Sequence, residues 1–484
     1  MKDYDIIVVG TGSVMNIVSA VLDDRPNFRV AVIDKDTPGG ICLTRGCIPS
    51  KILLYPAELL REALRGEEFG IKIKVQEIDF KKIMERMRKI VGEDVEQIRK
   101  GLTSTENLDF YNERAEFVSP NVMKVGNQEI RSNLIILGLG SEPLIPPIRG
   151  LEEIQFLTSD TILELNELPS RVLIVGGGYV AAEYGHFLSA MGSQVTIVGR
   201  NTRLLPQEEP EVSEVLRWHM STYLNVLTGY EVTEVQKRGS EIIAKIINVK
   251  TGERREIPTD KLLIAAGRRS TSHYLKPELG GVKTDEHGWI VVDEYLRTTA
   301  PNVWALGDGL GKHMFKHVAN YESAVVYQNA ILGRKVKVNY NAVPHAIFTY
   351  PEVASVGMKE EEAVMRFGGD LLIGFYPFEE TAKGVAMNLH NSFVKVLINP
   401  KTGKIVGAHA IGPHSSILIQ EIVLAMNYQG DQISLVRGSM HIHPALSEVV
   451  ERAFFNLMSV SQYQEFKSQI LGQEKEGSTS NQIG

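Results

Sequence analysis

The sequence predicts an α/β chain of two Rossmann-like dinucleotide-binding domains followed by a C-terminal α+β domain. Two stretches carry the first part. Residues 5–14 and 171–181 each read as a short apolar strand that breaks at glycine and turns into a helix, and each is followed by a second apolar strand. From about residue 342, strand-like segments alternate with one long apolar helix, which gives the last domain.

The 484 residues suffice for about three ordinary domains. Hydrophobic residues at 43% and charged residues at 23% describe a normal globular chain, and a net charge of −7 argues against a nucleic-acid partner. The first five residues lead straight into a strand, so no leader peptide is expected, and no apolar run reaches the roughly 18 residues that would span a bilayer. Only two cysteines occur, as suits a reducing cytoplasm.

Taken in order, the first unit opens with the apolar β-branched run 5–10, the turn Gly10-Thr11-Gly12-Ser13 and a helix beginning near Val14. Residues 29–34 give the second strand, which ends in Asp34. Such a unit places a pyrophosphate at the helix N-terminus and the acid on ribose hydroxyls. A chance glycine turn is the competing reading. Met15 stands where the third small residue of the fingerprint belongs; that residue serves helix–strand packing, so a wider spacing is expected rather than a lost site. Residues 55–99 show helical spacing, 110–133 short strands around turns such as Gly126-Asn127, and 134–141 a buried strand breaking at Gly138 and Gly140. The proline-rich stretch 143–147 is expected to be a crossover between domains.

The second unit has Gly176, Gly177 and Gly178 in its turn, with Ala181 at the third small position. Its second strand, 194–198, lacks the expected acid; Gly199-Arg200-Asn201 stands there instead. An acid at that point favours NAD and an arginine accommodates the 2′-phosphate of NADP, so Arg200 leans the expectation to NADP(H), against a plain solvated loop charge. Residues 261–268 read as a strand leaving this unit, and 302–308 as a strand ending in Gly307-Asp308, suited to polyol hydroxyls. Strands at 393–398 and 405–411 and a helix at 416–428 follow, and the polar stretch 472–484 is expected to be a disordered tail. The expected division is 1–150 and 268–341 for the first nucleotide domain, 151–267 for the second, and 342–471 for the last.

Cys42 and Cys47 are separated by four residues, and no partner Cys or His pair accompanies them at zinc spacing. A structural disulfide across so small a loop would stabilise a long chain little, which leaves a pair that opens and closes in turnover. An ideal helix would hold residues five apart at roughly 8–9 Å, too far to bridge. A distorted helix start is therefore expected, loosened by Gly39, Gly40 and Gly46. His443 and Glu448, in the stretch His441-Ile442-His443-Pro444, suit a thiol exchange base and the acid that orients it. Alone, that stretch reads more often as a helix-start cap or a core histidine, and only the cysteine pair makes the catalytic reading the better one.

Together, Gly40-x-Cys42-x4-Cys47-x-Pro49-Ser50-Lys51, the two nucleotide turns, Ala305-x-Gly307-Asp308 and His443-Pro444-x3-Glu448 resemble the class I pyridine nucleotide–disulfide oxidoreductases, in order from about residue 4 to 470. By motif the chain is most similar to the dihydrolipoamide dehydrogenases, whose active-site stretch ends in the same Cys-Ile-Pro-Ser-Lys. Mycothione-type reductases differ by small changes, glutathione reductases carry Val-Pro-Lys, and mercuric reductases add a C-terminal cysteine pair that is missing here.

The resemblance implies the fold above, with the last domain as a dimerisation domain. It implies Cys42 as interchange thiol, Cys47 as the thiol beside the flavin, Lys51 near the flavin and paired with Glu183, and His443 with Glu448 serving the active site of the other subunit of a homodimer. Gly10, Gly12, Ser13, Asp34, Lys35, Gly140, Gly307 and Asp308 would hold FAD. Gly176, Gly178, Tyr179, Ala181, Glu183, Arg200 and Gly267 would hold NAD(P). The implied activity passes electrons from a dihydrolipoyl group through the Cys42–Cys47 disulfide and FAD to NAD(P)+, in a 2-oxoacid dehydrogenase complex or a glycine cleavage system. The alternative is NADPH-dependent reduction of another small disulfide, mycothione- or glutathione-like. Thr44-Arg45 departs from the family's usual Asn-Val and puts a positive charge between the cysteines, either turned inward to lower a thiol pKa or out to solvent.

Overall fold

A computed structural model describes residues 1–467, so the polar stretch 472–484 lies outside the described residues. The chain forms two compact units, one of residues 1–63, 74–200 and 229–339, the other of 64–73, 201–228 and the described residues from 340 onward. Among the described residues, no helix is long and apolar enough to cross a membrane.

In the first unit, β1 (Ile6–Val9) leads through the glycine turn into α1 (Met15–Asp24) and then β2 (Val30–Ile33). Both strands are buried along their whole length, as an apolar β-branched run between two layers requires. Next come α2 (Gly40–Arg45), α3 (Cys47–Leu64), α4 (Phe80–Ser104), β3 (Leu108–Tyr111) and β4 (Ile135–Leu137). The helical stretch expected over 55–99 is interrupted. Gly70, at φ +78°, ends a short turn, and Ile71-Lys72-Ile73-Lys74-Val75 alternates with period two, which cannot present one helical face. Helix resumes only where Asp79 caps α4 by accepting from the Lys82 amide.

After β5 (Leu157–Thr158), the second nucleotide unit is β6 (Arg171–Val175), α5 (Tyr179–Met191) and β7 (Gln194–Gly199), completed by β8 (Lys261–Ile264). β9 (Val303–Ala305) returns to the first sheet, and α6 (Lys316–Val326) follows. The first sheet runs β9-β4-β1-β2-β3, all parallel, and the second contains β5-β8-β6-β7, also parallel. Each is an open parallel sheet, a class in which ligands bind in the crevice outside the carboxyl ends of the strands. The packing role of the missing small residue at 15 falls to its neighbour. Val14 is buried and seats on Gly138, where an added Cβ would lie 2.9 Å from that of Val14, while Met15 is half-buried at the core edge.

The second unit is built on a six-stranded antiparallel sheet: β10 (Pro344–Ile347), β11 (Val353–Gly357), β12 (Leu372–Pro377), β13 (Phe393–Asn399), β14 (Lys404–Ile411) and β15 (Leu457–Ser459), in the order β10-β11-β14-β13-β12-β15. Helices α7 (Ser415–Met426) and α8 (Glu448–Phe455) pack on it, burying Ile419, Ile422, Val449 and Phe454. The chain is thus α/β with an α+β C-terminal part.

Candidate active site

The cysteine pair sits where two helices meet. α2 ends at Arg45, α3 starts at Cys47, and Gly46 between them has φ −131° and ψ −115°. A Cβ on Gly46 would stand 2.9 Å from the Ile41 carbonyl oxygen and 3.3 Å from Cys42 Cα, so only glycine allows this break. Gly39 and Gly40 turn the chain into α2 at φ +119° and +70°. Both cysteines are thiols, joined by a hydrogen bond from Cys42 to the Cys47 sulfur. That bond, aided by the Lys51 charge and opposed by burial, lowers Cys47 to about 7. The same bond, together with burial, pushes Cys42 up, while the Lys316 charge pulls it back.

The pair is fastened to the first nucleotide turn. A Cβ on Gly40 would lie 2.6 Å from Gly12 Cα, so the two glycine backbones touch. The Gly39 amide donates to Thr11 Oγ1 at 2.9 Å, and Thr11 in turn donates to Asp34 Oδ2 through its amide at 2.9 Å and its hydroxyl at 2.5 Å. Burial raises Asp34 above the usual carboxylate range against those bonds. Gly10 is at φ +105°, and a Cβ there would strike the Gly138 carbonyl at 2.2 Å.

These residues line one cleft of about 270 Å³, whose wall also includes Ser13, Lys35, Gly140, Cys42 and Cys47. At its far side Asp308 accepts from Ser141 Oγ at 2.9 Å and is raised by burial, and Gly307, at φ +76°, donates its amide to buried Glu322 at 2.6 Å. Arg268 donates to Ser141 Oγ at 2.6 Å and to its carbonyl at 2.8 Å. A backbone cradle that a Cβ would fill, at a helix start beside two acids, fits the pyrophosphate and ribityl chain of FAD, with the cysteines in the same wall.

Lys51 reaches both oxygens of Glu183, at 2.9 and 2.8 Å, and so ties α3 to α5. At the second turn Gly176 is at φ +132°, where a Cβ would meet the Ala265 carbonyl at 2.1 Å; a Cβ on Gly178 would meet nothing, so that backbone stands open to a ligand. Tyr179 begins α5, Ala181 is buried in it, and Gly267 is at φ +121°. Gly199 lies with its Cβ position 3.3 Å from Gly177 Cα. Arg200, next along, is exposed and makes no hydrogen bond or ion pair among the described residues. Together these residues fit a pyridine nucleotide.

In the second unit, the His443 Nδ1 is 2.9 Å from Glu448 Oε1. Glu448 is buried at the start of α8 and held below the usual range by that bond first, then by the Ala445 amide and Arg452. His443 itself is 66% exposed, so its other ring nitrogen is open to a partner. His441, by contrast, is spent on Glu421 at 2.6 Å.

Arg45 points neither at the cysteines nor freely into solvent. It bridges Asp36 at 2.6 Å and Asp160 at 3.2 Å. Sequence spacing passed over Arg268, Lys316 and Glu322 and gave Thr11 only as part of the first turn; Lys316 and Glu322 share one helix, α6, and only Thr11, inside the turn, and Arg268, beside Gly267, had a signal in the sequence.

The family model "Pyridine nucleotide-disulphide oxidoreductase" matches residues 4–325, and the dimerisation domain of that family matches 343–454. A mycothione reductase of Mycobacterium tuberculosis is 32% identical over 94% of this chain and all of its own length. A dihydrolipoyl dehydrogenase of Chlamydia muridarum is 31% identical over 92% of this chain and 95% of its own. Among solved structures, the HOCl-induced flavoprotein disulfide reductase RclA of Escherichia coli, as a Cu(II) complex, aligns over 94% of this chain and 99% of its own at TM-score 0.83 and 26% identity.

Proposed function

The chain belongs to the pyridine nucleotide-disulphide oxidoreductase family, and from that premise we propose that it is an NADPH-linked reductase of a small disulfide, working as a homodimer. The observation that carries this reading is the end of β7. Gly199 brings its backbone against Gly177, leaving no carboxylate to take a ribose 2′-hydroxyl, and Arg200 stands exposed beside it. A 2′-phosphate supplies the anion that this arginine lacks. In this reading 1–150 and 268–341 hold FAD, 151–267 holds NADPH and 342–471 dimerises.

The residues divide the exchange as follows. The Cys42 thiolate attacks one sulfur of the substrate disulfide; a Cys42–sulfur bond forms, the substrate S–S bond breaks and one thiolate leaves. The partner subunit's His443, oriented by its glutamate, protonates that thiolate. The Cys47 thiolate then attacks Cys42, expels the second thiolate and closes the Cys42–Cys47 disulfide. When bound, FAD supplies the two-electron link through which NADPH returns the pair to dithiol. Lys51, held by Glu183, keeps a positive charge beside Cys47 throughout.

A second reading, dihydrolipoyl oxidation with NAD(P)+, is favoured by the stretch Cys47-Ile48-Pro49-Ser50-Lys51, and it runs the same thiol steps in reverse. The test is steady-state turnover of small disulfides with NADPH and NADH beside dihydrolipoamide with NAD+ and NADP+, on the native chain and on Arg200→Glu. The expected result is faster disulfide reduction with NADPH, and a swing toward NADH in the variant. Fast dihydrolipoamide oxidation with NAD+ would overturn the reading, as would an Arg200→Glu enzyme of unchanged nucleotide preference. Disulfide turnover retained by Cys42→Ser would remove the exchange scheme itself.

A further inference from the structure

Lys316 is the first residue of α6 and lines the same cleft as Cys42 and Cys47. Its side chain is half-buried. The other cations of the cleft wall are engaged: Lys35 by Asp36 at 3.0 Å, Arg45 by Asp36 and Asp160, Arg268 by Ser141, and Arg114 by the Tyr274 ring at 4.5 Å. Lys316 makes no hydrogen bond, ion pair or ring contact among the described residues. An ammonium drawn partly out of water with no counter-ion costs stability, unless an anion meets it during function.

In this wall the Lys316 charge acts on Cys42, against the larger effects of the Cys47 hydrogen bond and burial. The two sulfurs share a hydrogen bond, so in the singly ionised dithiol one proton lies between them and the negative charge can sit on either. Lys51 on α3 favours charge on Cys47, and Asp308 opposes it there. Lys316 favours charge on Cys42, and Arg45, on Cys42's own helix, is neutralised by its two acids. We propose that Lys316 belongs to the exchange machinery, its ammonium stabilising the Cys42 sulfur whenever that sulfur carries the negative charge.

The inference rests on the disulfide-exchange reading above. In reduction, Cys42 must be the thiolate when it attacks, with the proton moved to Cys47; the partner's His443, neutral once it has protonated the first leaving thiolate, takes that proton before the Cys47 thiolate closes the disulfide. In the reverse direction, the second substrate thiolate attacks the mixed disulfide and Cys42 leaves as thiolate. Both steps place charge on one atom, and Lys316 lowers the free energy of that state without touching the substrate. Two lysines on two helices thus set where the shared proton rests: Lys51 stores the charge on Cys47, and Lys316 makes its transfer to Cys42 affordable.

The test labels the dithionite-reduced holoenzyme with iodoacetamide across pH and counts the label on each cysteine by peptide mass. It needs no substrate. In Lys316→Ala, Cys42 labelling should require a pH higher by about one unit, with roughly tenfold slower labelling at neutral pH, and the share of label on Cys47 should rise. Lys316→Arg should label as the native enzyme does. Lys316→Gln makes the same test if the alanine variant fails to fold. An unchanged Cys42 profile in the neutral variants overturns the proposal, and so does an equal shift in Lys316→Arg, which would assign the effect to packing. Turnover retained by Cys42→Ser would instead bring down the exchange reading, so the two failures are distinct.

Discussion

Replacing Lys51 by Met removes the lysine charge that acts on Cys47 from within α3. In the native chain that thiol ionises near 7 rather than at its ordinary 9.0, a shift of about two units (9.0 − 7), with the Cys42 hydrogen bond as the largest cause and the Lys51 charge as the leading electrostatic one. The hydrogen bond survives the substitution. The lysine's own effect is divided by Glu183 at 2.8 Å and screened by water, since its side chain is 36% exposed. About one unit should therefore be lost, placing the first thiolate step near 8. Glu183→Gln uncovers the lysine and should move the same step below its native position. The assay is the ultraviolet thiolate absorbance of the dithionite-reduced enzyme against pH. The linkage has a definite sign. A thiol whose folded pKa is depressed stabilises the fold above its unfolded value near 9, and the gain is lost as pH falls through 7. Denaturant midpoints of the reduced native enzyme should therefore rise from pH 7 to 9, and those of Lys51→Met only over the upper half of that window. A first step left unmoved by Lys51→Met, or moved in the same direction by both variants, would refute the electrostatic account.

Three other outcomes follow from the same structure. Arg45→Val should leave both thiol titrations where they are, because Asp36 and Asp160 already neutralise the arginine, and should cost about 1 kcal/mol in denaturant unfolding; a displaced Cys47 step would show that the charge does reach the pair. Lys395 is fully buried among Glu209, Glu211 and Glu360, and only Glu211 has a second lysine, Lys467 at 2.6 Å, so Lys395→Met should cost roughly 3–5 kcal/mol by leaving buried Glu209 and Glu360 without one; a loss under 1 kcal/mol in urea would mean that they protonate at little cost. His443→Gln should slow disulfide turnover by about 10²–10⁴-fold while leaving flavin reduction by the nucleotide intact. Equal slowing of both half-reactions would take the histidine out of the exchange step.

The sequence is most readable where one residue type alone satisfies the backbone. Gly10, Gly39, Gly40 and Gly176 occupy positive φ or touch another backbone, and each was marked by its place between an apolar strand and a helix. The break at Gly46 is legible from the expectation that the two cysteines pair, which one regular helix forbids. The stretch 70–79 reads as helix in the sequence because its charges resemble those of the helices flanking it, and the period-two run at Ile71 is too short to stand out. Arg45 was ambiguous for a deeper reason. Its partners Asp36 and Asp160 lie 9 residues before it and 115 after it (160 − 45), and nothing local to the cysteines announces either.

That distant pairing also explains how a cation can stand between two redox cysteines without setting their chemistry. Beyond the hydrogen bond between the two thiols, what tips a thiol's charge is the net field after each cation's own partner is counted. Arg45, closest in sequence, is cancelled by two carboxylates. Lys51 is half-cancelled by Glu183 and still acts on Cys47. Lys316, hundreds of residues away in sequence and without a partner among the described residues, is the cation left to act on Cys42. The effective charge on the pair is therefore ordered by compensation rather than by sequence distance, and a substitution that adds an acid beside Lys316, such as Ala319→Asp one turn along α6 in the same cleft wall, should mimic Lys316→Ala in the Cys42 labelling profile. If it instead left that profile unmoved while Lys316→Ala shifted it, compensation would not be the rule by which this site is tuned.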